Sequence, residues 1–274
     1  MKKFLIIFFL APLLVFAQDV KEPEKGTNGY QYGGGDLRHF FSEEYDSTTL
    51  DIPKNKTALV IGNTDYDDDS WDLKNPTNDV NLFSKSLNKI GFDVELKEDL
   101  DREEFIKHFV NFKGNQDSSD FIIIYYAGHA IEENGIPYIL PTNFSHDENT
   151  NIEDRGINIY DLLDSYKKTG KKCLFILDAC RKVGGNGLPV PLDVEGGVNV
   201  KLAYSTSWGK GASDNTILDN THYTSVLSGY FRYRPDASIY EILHNTAKRV
   251  IHETIGKQKP ASYFGIYVDD VRLK

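Results

Sequence analysis

The chain has 274 residues, with 31 Lys and Arg against 41 Asp and Glu and a formal net charge of -10. This is the composition of a globular protein, which excludes a disordered, collagen-like or disulfide-rich chain. The acidic balance argues against nucleic acid or an anionic membrane surface as the partner, because both are bound through clustered Lys and Arg. A basic peptide would complement the chain better.

The N terminus has the pattern of an export signal. Two lysines precede an apolar run of 13 residues from Phe4 to Phe16, and Ala17 stands before the polar Gln18. A membrane anchor is the alternative, but so short a run, interrupted by Pro12, cannot cross about 30 Å of hydrocarbon as a helix. We therefore expect removal of residues 1–17, export to the periplasm or out of the cell, and no membrane span afterwards.

The two cysteines of the chain are predicted to be free thiols. Cys173 and Cys180 bracket the apolar run 174–177, which has the pattern of a strand. Strand geometry places their Cα atoms roughly 20 Å apart, since each residue advances the chain by about 3.3 Å. A disulfide requires less than about 7 Å, so we expect none.

Residues 18–55 are polar and aperiodic, which predicts a linker or short pro-segment before a folded domain over 56–274. In that domain short apolar runs alternate with amphipathic helical stretches, the pattern of an α/β fold. The prediction is a mostly parallel central sheet of about six strands with helices on both faces. The predicted strands are 58–61, 92–96, 121–126, 173–177, 202–205 and 263–268, with 138–140 as a short additional one.

Helix start and stop signals are clear for the first two helices. The first has Asn75 as its cap, Pro76 at its first position and Gly91 as its stop; the second begins with a capping-box pair, Asp101 and Glu104. Further helices are predicted at 159–168, 223–230 and 238–254. The Gly-rich stretch 183–199 is too long for an ordinary turn and is predicted to be a mobile or processed loop.

Chemistry-bearing residues follow the ends of neighbouring predicted strands. One strand runs into His129 and another into Asp178 and Cys180, while the helix after the first strand opens with Asp79. Because parallel strands end at one edge of the sheet, we expect these side chains to meet there. Alone, Cys180 could be a core residue and His129 a hydrogen-bonded surface residue. Together they provide the thiolate and imidazole that nucleophilic catalysis by sulfur requires.

These segments resemble the caspase and metacaspase cysteine peptidases, especially bacterial members. The matching motifs are Leu-Asp-Ala-Cys-Arg at 177–181 and Tyr-Tyr-Ala-Gly-His at 125–129, and the Cys to His separation, 180 minus 129 or 51 residues, agrees with the caspase spacing of about 50. The resemblance extends in order over roughly residues 56–266 and implies the caspase-like three-layer α/β sandwich. Further matches lie at 58–63, 75–80, 138–141, 203–206 and 258–260.

The resemblance implies a role for each site residue. Cys180 would attack the scissile carbonyl and His129 would protonate the leaving amine, giving an acyl-enzyme that water hydrolyses. The backbone N–H groups of Cys180 and Ala130 would hold the oxyanion. The family usually has Gly after the catalytic His, so Ala130 is a departure that restricts the backbone and opens the alternative of a catalytically inactive binding or scaffold module.

The resemblance also implies a substrate class. The acidic residues matching Asp79 and Asp178 form the metacaspase pocket for the residue before the cut, and no Arg stands in 71–78, where a caspase would place one for aspartate. The implied substrate is a peptide or protein with Arg or Lys at the cut; a solvated strand end is the alternative reading of Asp178. Ser205 and Trp208 match the substrate-binding strand and its exit loop, although a buried strand explains them nearly as well.

The motifs predict no organic cofactor and no metal site. Many metacaspases need calcium, and acidic runs at Asp65, Asp67, Asp68, Asp69 and at Asp147, Glu148, Glu153, Asp154 offer carboxylates, but neither has EF-hand spacing. We expect solvated acidic loops and leave calcium as a candidate activator. A flavodoxin-like nucleotide or flavin binder would share the sheet pattern, but the first predicted strand is not followed by a Gly-rich phosphate loop.

Overall fold

The computed structural model describes residues 51–145, 151–179, 182–184, 197–206, 219–263 and 265–274. The residues described belong to one compact unit, Ser47–Lys274. The predicted signal peptide and nearly all of the predicted linker lie outside these ranges, as do Cys180 and Trp208. The division into signal peptide, linker and domain stays a prediction.

Ten strands form two sheets in the described part of the chain. The central sheet has six strands in the order β10-β9-β7-β3-β1-β2, and the smaller sheet has the order β6-β5-β4-β8. Neighbours in the central sheet are parallel except β10, which pairs antiparallel with β9. This confirms the predicted sheet. The strands are β1 Lys56–Gly62, β2 Phe92–Glu98, β3 Phe121–Gly128, β4 Ala130–Glu133, β5 Ile136–Ile139, β6 Ile157–Asn158, β7 Lys172–Ala179, β8 Lys182–Gly184, β9 Val200–Tyr204 and β10 Ala261–Tyr263.

The helices begin where local capping chemistry favours them. Pro76 opens α1, although the Asn75 side chain makes no capping hydrogen bond, and Asp101 and Glu104 form the predicted capping box of α2. Ser238 and Glu241 form a second capping box, at α6. The helices are α1 Pro76–Lys89, α2 Arg102–Gly114, α3 Ile152–Arg155, α4 Ile159–Lys167, α5 His222–Tyr233, α6 Ile239–Glu253 and α7 Ile266–Asp269.

Two apolar cores lie on the two faces of the central sheet, which makes the fold three-layered. One core, called here the α1 core, joins α1, α5 and α6 to alternate strand residues such as Tyr125 and Ile176. The other, the α2 core, joins α2 and α4 to the intervening residues, such as Tyr126 and Leu177. Since successive strand residues face opposite sides, the central strands are buried on both faces and have continuous apolar sequences.

The structure corrects the prediction at the edges of the fold. A strand over 263–268 is wrong: β10 ends at Tyr263, and α7 follows Gly265, whose φ of +68° interrupts extended structure. Of the short strand predicted over 138–140, residues 138 and 139 lie in β5, which belongs to the smaller sheet. Gly184 and Asn199, at the two ends of the predicted loop, lie in β8 and a short 3-10 helix; 185–196 lie outside the described residues.

None of the helices in the described ranges is both long and apolar enough to cross a membrane.

Candidate active site

His129 lies directly after β3, at the edge of the sheet where its parallel strands end. The register of β3 and β7 pairs Gly128 with Ala179. These are the residues that immediately precede His129 and Cys180 in the sequence. Cys180 itself lies outside the described residues, so its predicted role stays a prediction.

The imidazole of His129 is oriented by a main-chain carbonyl from the loop between β1 and α1. Its Nε2 lies 2.7 Å from the carbonyl oxygen of Trp71. Because a carbonyl oxygen can only accept a hydrogen bond, Nε2 must carry a proton, and Nδ1 is the nitrogen that can exchange a proton with a substrate. The rings of Tyr66 and Trp71 pack against the imidazole, with centroid distances of 4.9 and 5.4 Å.

A pair of buried tyrosines holds the backbone of His129. The Tyr66 hydroxyl accepts a hydrogen bond from the His129 N–H at 2.9 Å, and the Tyr126 hydroxyl donates to the His129 carbonyl at 3.1 Å. Burial raises the pKa of Tyr66 to about 12, so its hydroxyl stays neutral. A Cβ on Gly128 would overlap the Tyr126 hydroxyl and approach that of Tyr66 to 3.1 Å. Glycine is therefore required one residue before the histidine.

Ala130, where the family usually has Gly, is accommodated without strain. The non-glycine residues with positive φ in the described ranges are others, so Ala130 does not need glycine's freedom. Leu140 donates its N–H to the His129 carbonyl at 3.0 Å, and Ala130 lies opposite Ile139. Because hydrogen-bonded pairs alternate along antiparallel strands, the Ala130 N–H points away from β5, toward the side where β8 pairs. This orientation is compatible with an oxyanion donor.

Asp79 and Asp178 are brought together by the residues that cap and open α5. The Thr221 N–H donates to Asp79 Oδ1 at 2.9 Å, while the Thr221 hydroxyl donates to Asp178 Oδ2 at 2.6 Å. Asn220 gives Asp79 Oδ1 a second hydrogen bond at 3.0 Å, and Thr224 gives one to Asp178 Oδ2 at 2.7 Å. Asp178 lies at the end of β7 and Asp79 near the start of α1, 99 residues apart in the sequence (178 minus 79). Both carboxyl groups are thus hydrogen-bonded to the N-terminus of α5.

The electrostatics of this acid pair favour a cation. Asp79 is fully buried and Asp178 is 5% exposed. Burial, reinforced by the nearby Asp178 carboxylate, raises the pKa of Asp79 to about 8. Asp79 Oδ2 is buried with no hydrogen-bond partner within the described part of the chain. A positively charged side chain entering here would supply the missing donor and offset the repulsion between the two carboxylates.

The other two predicted substrate residues are Ser205 and Trp208. Ser205 is completely buried; its N–H donates to the Leu177 carbonyl at 2.9 Å, and its carbonyl accepts from Gln258 at 2.9 Å. Its main-chain groups are therefore used inside the protein, and a substrate contact would have to come from its side chain. Trp208 lies outside the described residues. Both assignments stay predictions.

The structure separates Cys173 from the site chemistry and assigns local roles to some of the acidic residues. Cys173 is a fully buried free thiol in the α2 core, and burial raises its pKa well above the ordinary value. Asp68 caps the 3-10 helix Asp69–Trp71 by accepting from the N–H of Ser70. In the described ranges, no group of three or more His, Cys, Asp or Glu side chains is arranged to hold a metal ion. Asp147 and Glu148 lie outside those ranges.

Sequence reasoning missed the groups that position the site. The Trp71 carbonyl is a main-chain atom, which no side-chain motif identifies. Tyr66 and Thr221 contact residues 63 and 142 positions away. Two sequence signals could have identified them. Thr221 has the residue type of a helix cap and precedes α5, and Tyr66 follows β1 closely in the sequence.

The sequence of residues 55–268 matches the family model described as the Caspase domain. The chain is 28% identical over 222 residues to the mucosa-associated lymphoid tissue lymphoma translocation protein 1 homolog of Mus musculus, covering 78% of this chain and 26% of that protein. It is 28% identical over 218 residues to the mucosa-associated lymphoid tissue lymphoma translocation protein 1 of Homo sapiens, covering 77% of this chain and 26% of that protein. Identity to a Dictyostelium discoideum protein named Paracaspase is 27% over 203 residues, 70% and 48% of the two chains. The chain thus spans between about a quarter and a half of the length of these relatives.

Proposed function

The chain belongs to the caspase-domain family, and we propose that it is a cysteine endopeptidase that cuts after Arg or Lys, with Cys180 as nucleophile and His129 as proton donor. The observation that carries the proposal is the parallel register of Gly128 with Ala179, which precede His129 and Cys180, together with the imidazole held by the Trp71 carbonyl. Nucleophilic catalysis by sulfur needs the thiolate and the imidazole close to each other.

The proposed reaction follows from the proton positions. The Cys180 thiolate attacks the carbonyl carbon of the scissile bond, and the Ala130 N–H helps to hold the negative oxygen. When the C–N bond breaks, Nδ1 of His129 gives its proton to the leaving amine, while Nε2–H stays on the Trp71 carbonyl. Water then attacks the thioester, giving its proton to Nδ1 and releasing the acid and the Cys180 thiolate.

The preference for a basic residue rests on the acid pair. A guanidinium or ammonium group would give the buried Asp79 Oδ2 the donor it lacks and lie between two carboxylates. An acidic side chain would bring a further negative charge into a site where burial and the Asp178 carboxylate already raise the pKa of Asp79 to about 8. The structure therefore supports Arg and Lys over Asp.

Fluorogenic peptides that differ only in having Arg, Lys or Asp before the cut test this proposal. We expect cleavage of the Arg and Lys peptides, with Asp at least about a hundredfold slower, because the pocket would bury an unpaired like charge. Cys180→Ala should abolish turnover. The matched control is Cys173→Ala, which removes a buried thiol away from the site chemistry and should retain it.

Each result separates the alternatives. Persistent turnover by Cys180→Ala would overturn the nucleophile, and a preference for Asp would overturn the pocket. No turnover of any peptide by folded protein would favour the inactive scaffold module instead. Repeating the assay with added calcium and with a chelator tests calcium as activator, because a requirement would appear as loss of turnover on chelation.

We also propose that the protein is exported, on the basis of the N-terminal sequence pattern alone. The mature chain should begin at Gln18. Mass spectrometry of protein recovered from the periplasm and the medium measures the terminus directly, and an intact Met1 in both fractions would contradict signal removal. The same spectra show whether 183–199 is cut during maturation.

A further inference from the structure

A cleft of about 390 Å³ opens beside the His129 imidazole. Its walls are mainly apolar, and Trp71 in one wall is packed against Phe144, with ring centroids 5.9 Å apart. The main-chain N–H of Leu73 donates to the Thr64 carbonyl at 3.0 Å, which anchors the loop segment that supplies that wall. Its lining includes Trp71, Leu73, His129, Ala130, Ile131 and Leu140.

The acid pair faces the α1 side of the central sheet, whereas part of the cleft lining belongs to the α2 side. Leu177 and Ala179 belong to the α2 core, so Asp178 between them faces the α1 side, where α5 contacts it. Ala130, which lines the cleft, packs against the α2 core. A peptide whose basic side chain reaches the acid pair therefore has its other half free to approach the cleft.

The chemistry of the proposed cleavage identifies which half that is. The leaving amine takes its proton from His129, so it must come within hydrogen-bond reach of the imidazole. The side chain of the residue that follows the cut is only two bonds from this nitrogen. We propose that the cleft binds that side chain and selects a large apolar residue immediately after the scissile bond; this inference rests on the proposed function.

Size and charge favour a large apolar occupant. A volume of about 390 Å³ falls within the roughly 300–1,000 Å³ typical of ligand pockets, so Gly or Ala would leave most of it unfilled. Trp71 and Leu73 are half-buried and offer apolar surface that a Leu, Met or Phe side chain would cover. The exposed Asp72 also lines the cleft, and its negative charge disfavours an acidic residue there.

Quenched fluorescent peptides with Arg before the cut and Leu, Gly or Asp after it test the inference. We expect kcat/KM for Leu to exceed that for Gly about tenfold, the discrimination that an apolar pocket supplies, with Asp lowest. Leu73→Ala should reduce the Leu to Gly ratio at least about threefold, because it removes one wall. The ratio is taken within one enzyme preparation, so it does not depend on the folded fraction.

The control variant is Val110→Ala, which truncates a side chain 58% exposed on α2 and should leave the ratio unchanged. Turnover of all three peptides at similar rates would overturn the inference and leave the proposed function standing. A Leu preference that survives Leu73→Ala and Ile131→Ala would also overturn it, since selection would then arise elsewhere. No turnover of any Arg peptide would overturn both proposals.

Discussion

The proton held by the buried acid pair should make binding of basic peptides depend on pH. The pKa of Asp79 is raised to about 8 by burial and by the neighbouring Asp178 carboxylate. At pH 7 the group is then ionised in about one molecule in ten, and at pH 9 in about nine in ten. A guanidinium binds the ionised pair, so affinity for an Arg peptide should rise about tenfold between these pH values.

The assay compares two peptides in the Cys180→Ala protein, where turnover cannot interfere. One carries Arg, and the other carries citrulline, which has nearly the same shape without the charge. The ratio of their dissociation constants isolates the pocket, since groups that do not contact the Arg or citrulline side chain affect both peptides alike. The ratio should change about tenfold from pH 7 to pH 9 and become flat when Asp79→Asn is added. A flat ratio without that substitution would refute the assignment of this pocket.

Stability should show the same titration with a defined sign. The folded state retains a proton on Asp79 up to about pH 8, whereas the ordinary carboxyl pKa is 3.8. The folded state therefore binds more protons between about pH 4 and pH 8, and the contribution of Asp79 to the free energy of unfolding falls as pH rises through this window. The slope reaches about 1.4 kcal/mol per pH unit. Urea unfolding at pH 5, 7 and 9 should show the free energy of unfolding of Asp79→Asn rising relative to that of the wild type as pH increases. A difference between the two proteins that stays constant with pH would contradict the raised pKa of Asp79.

Two further substitutions test how His129 is held. Tyr66→Phe removes the acceptor of the His129 N–H. We expect kcat to fall about tenfold to a hundredfold with little change in KM, because a misplaced imidazole affects chemistry more than binding. A change in KM alone would contradict a positioning role. Gly128→Ala inserts a Cβ against the Tyr126 hydroxyl and should lower the free energy of unfolding by about 2–4 kcal/mol in urea titrations. Its control is Gly114→Ala, where a Cβ meets nothing within 4 Å; equal destabilisation by both would count against the steric argument.

The central strands could be predicted from the sequence because their environment is uniform. β1, β2, β3 and β7 begin and end within two residues of the predicted runs. Strands buried on both faces have continuous apolar sequences, which local pattern reading detects. The same logic placed His129, because it directly follows such a strand. The start of α1 at Pro76 and the start of α2 after Asp101 were equally readable, since a proline at the first helical position and a capping box are local signals.

The edges of the fold required tertiary information. β10 has three residues and one neighbouring strand, β9, and α7 has four residues. Both are too short for a hydrophobic periodicity to be recognised in the sequence. The smaller sheet is a set of short strands, some of which pair with segments distant in the sequence, such as Ile131 with Lys182. Gly265 was the one local signal that extended structure over 263–268 would be broken.

By itself, the sequence determined that an imidazole and the Asp178 carboxylate belong at the ends of parallel strands, because chain direction dictates which edge they reach. Only the tertiary structure decided their chemical state. The Trp71 carbonyl selects the proton-bearing nitrogen of His129 from 58 residues away. Asp79 reads as an ordinary acidic residue in a first helical turn, yet burial beside Asp178 raises its pKa to about 8. Desolvation and charge proximity depend on distances in space, which residue order does not specify.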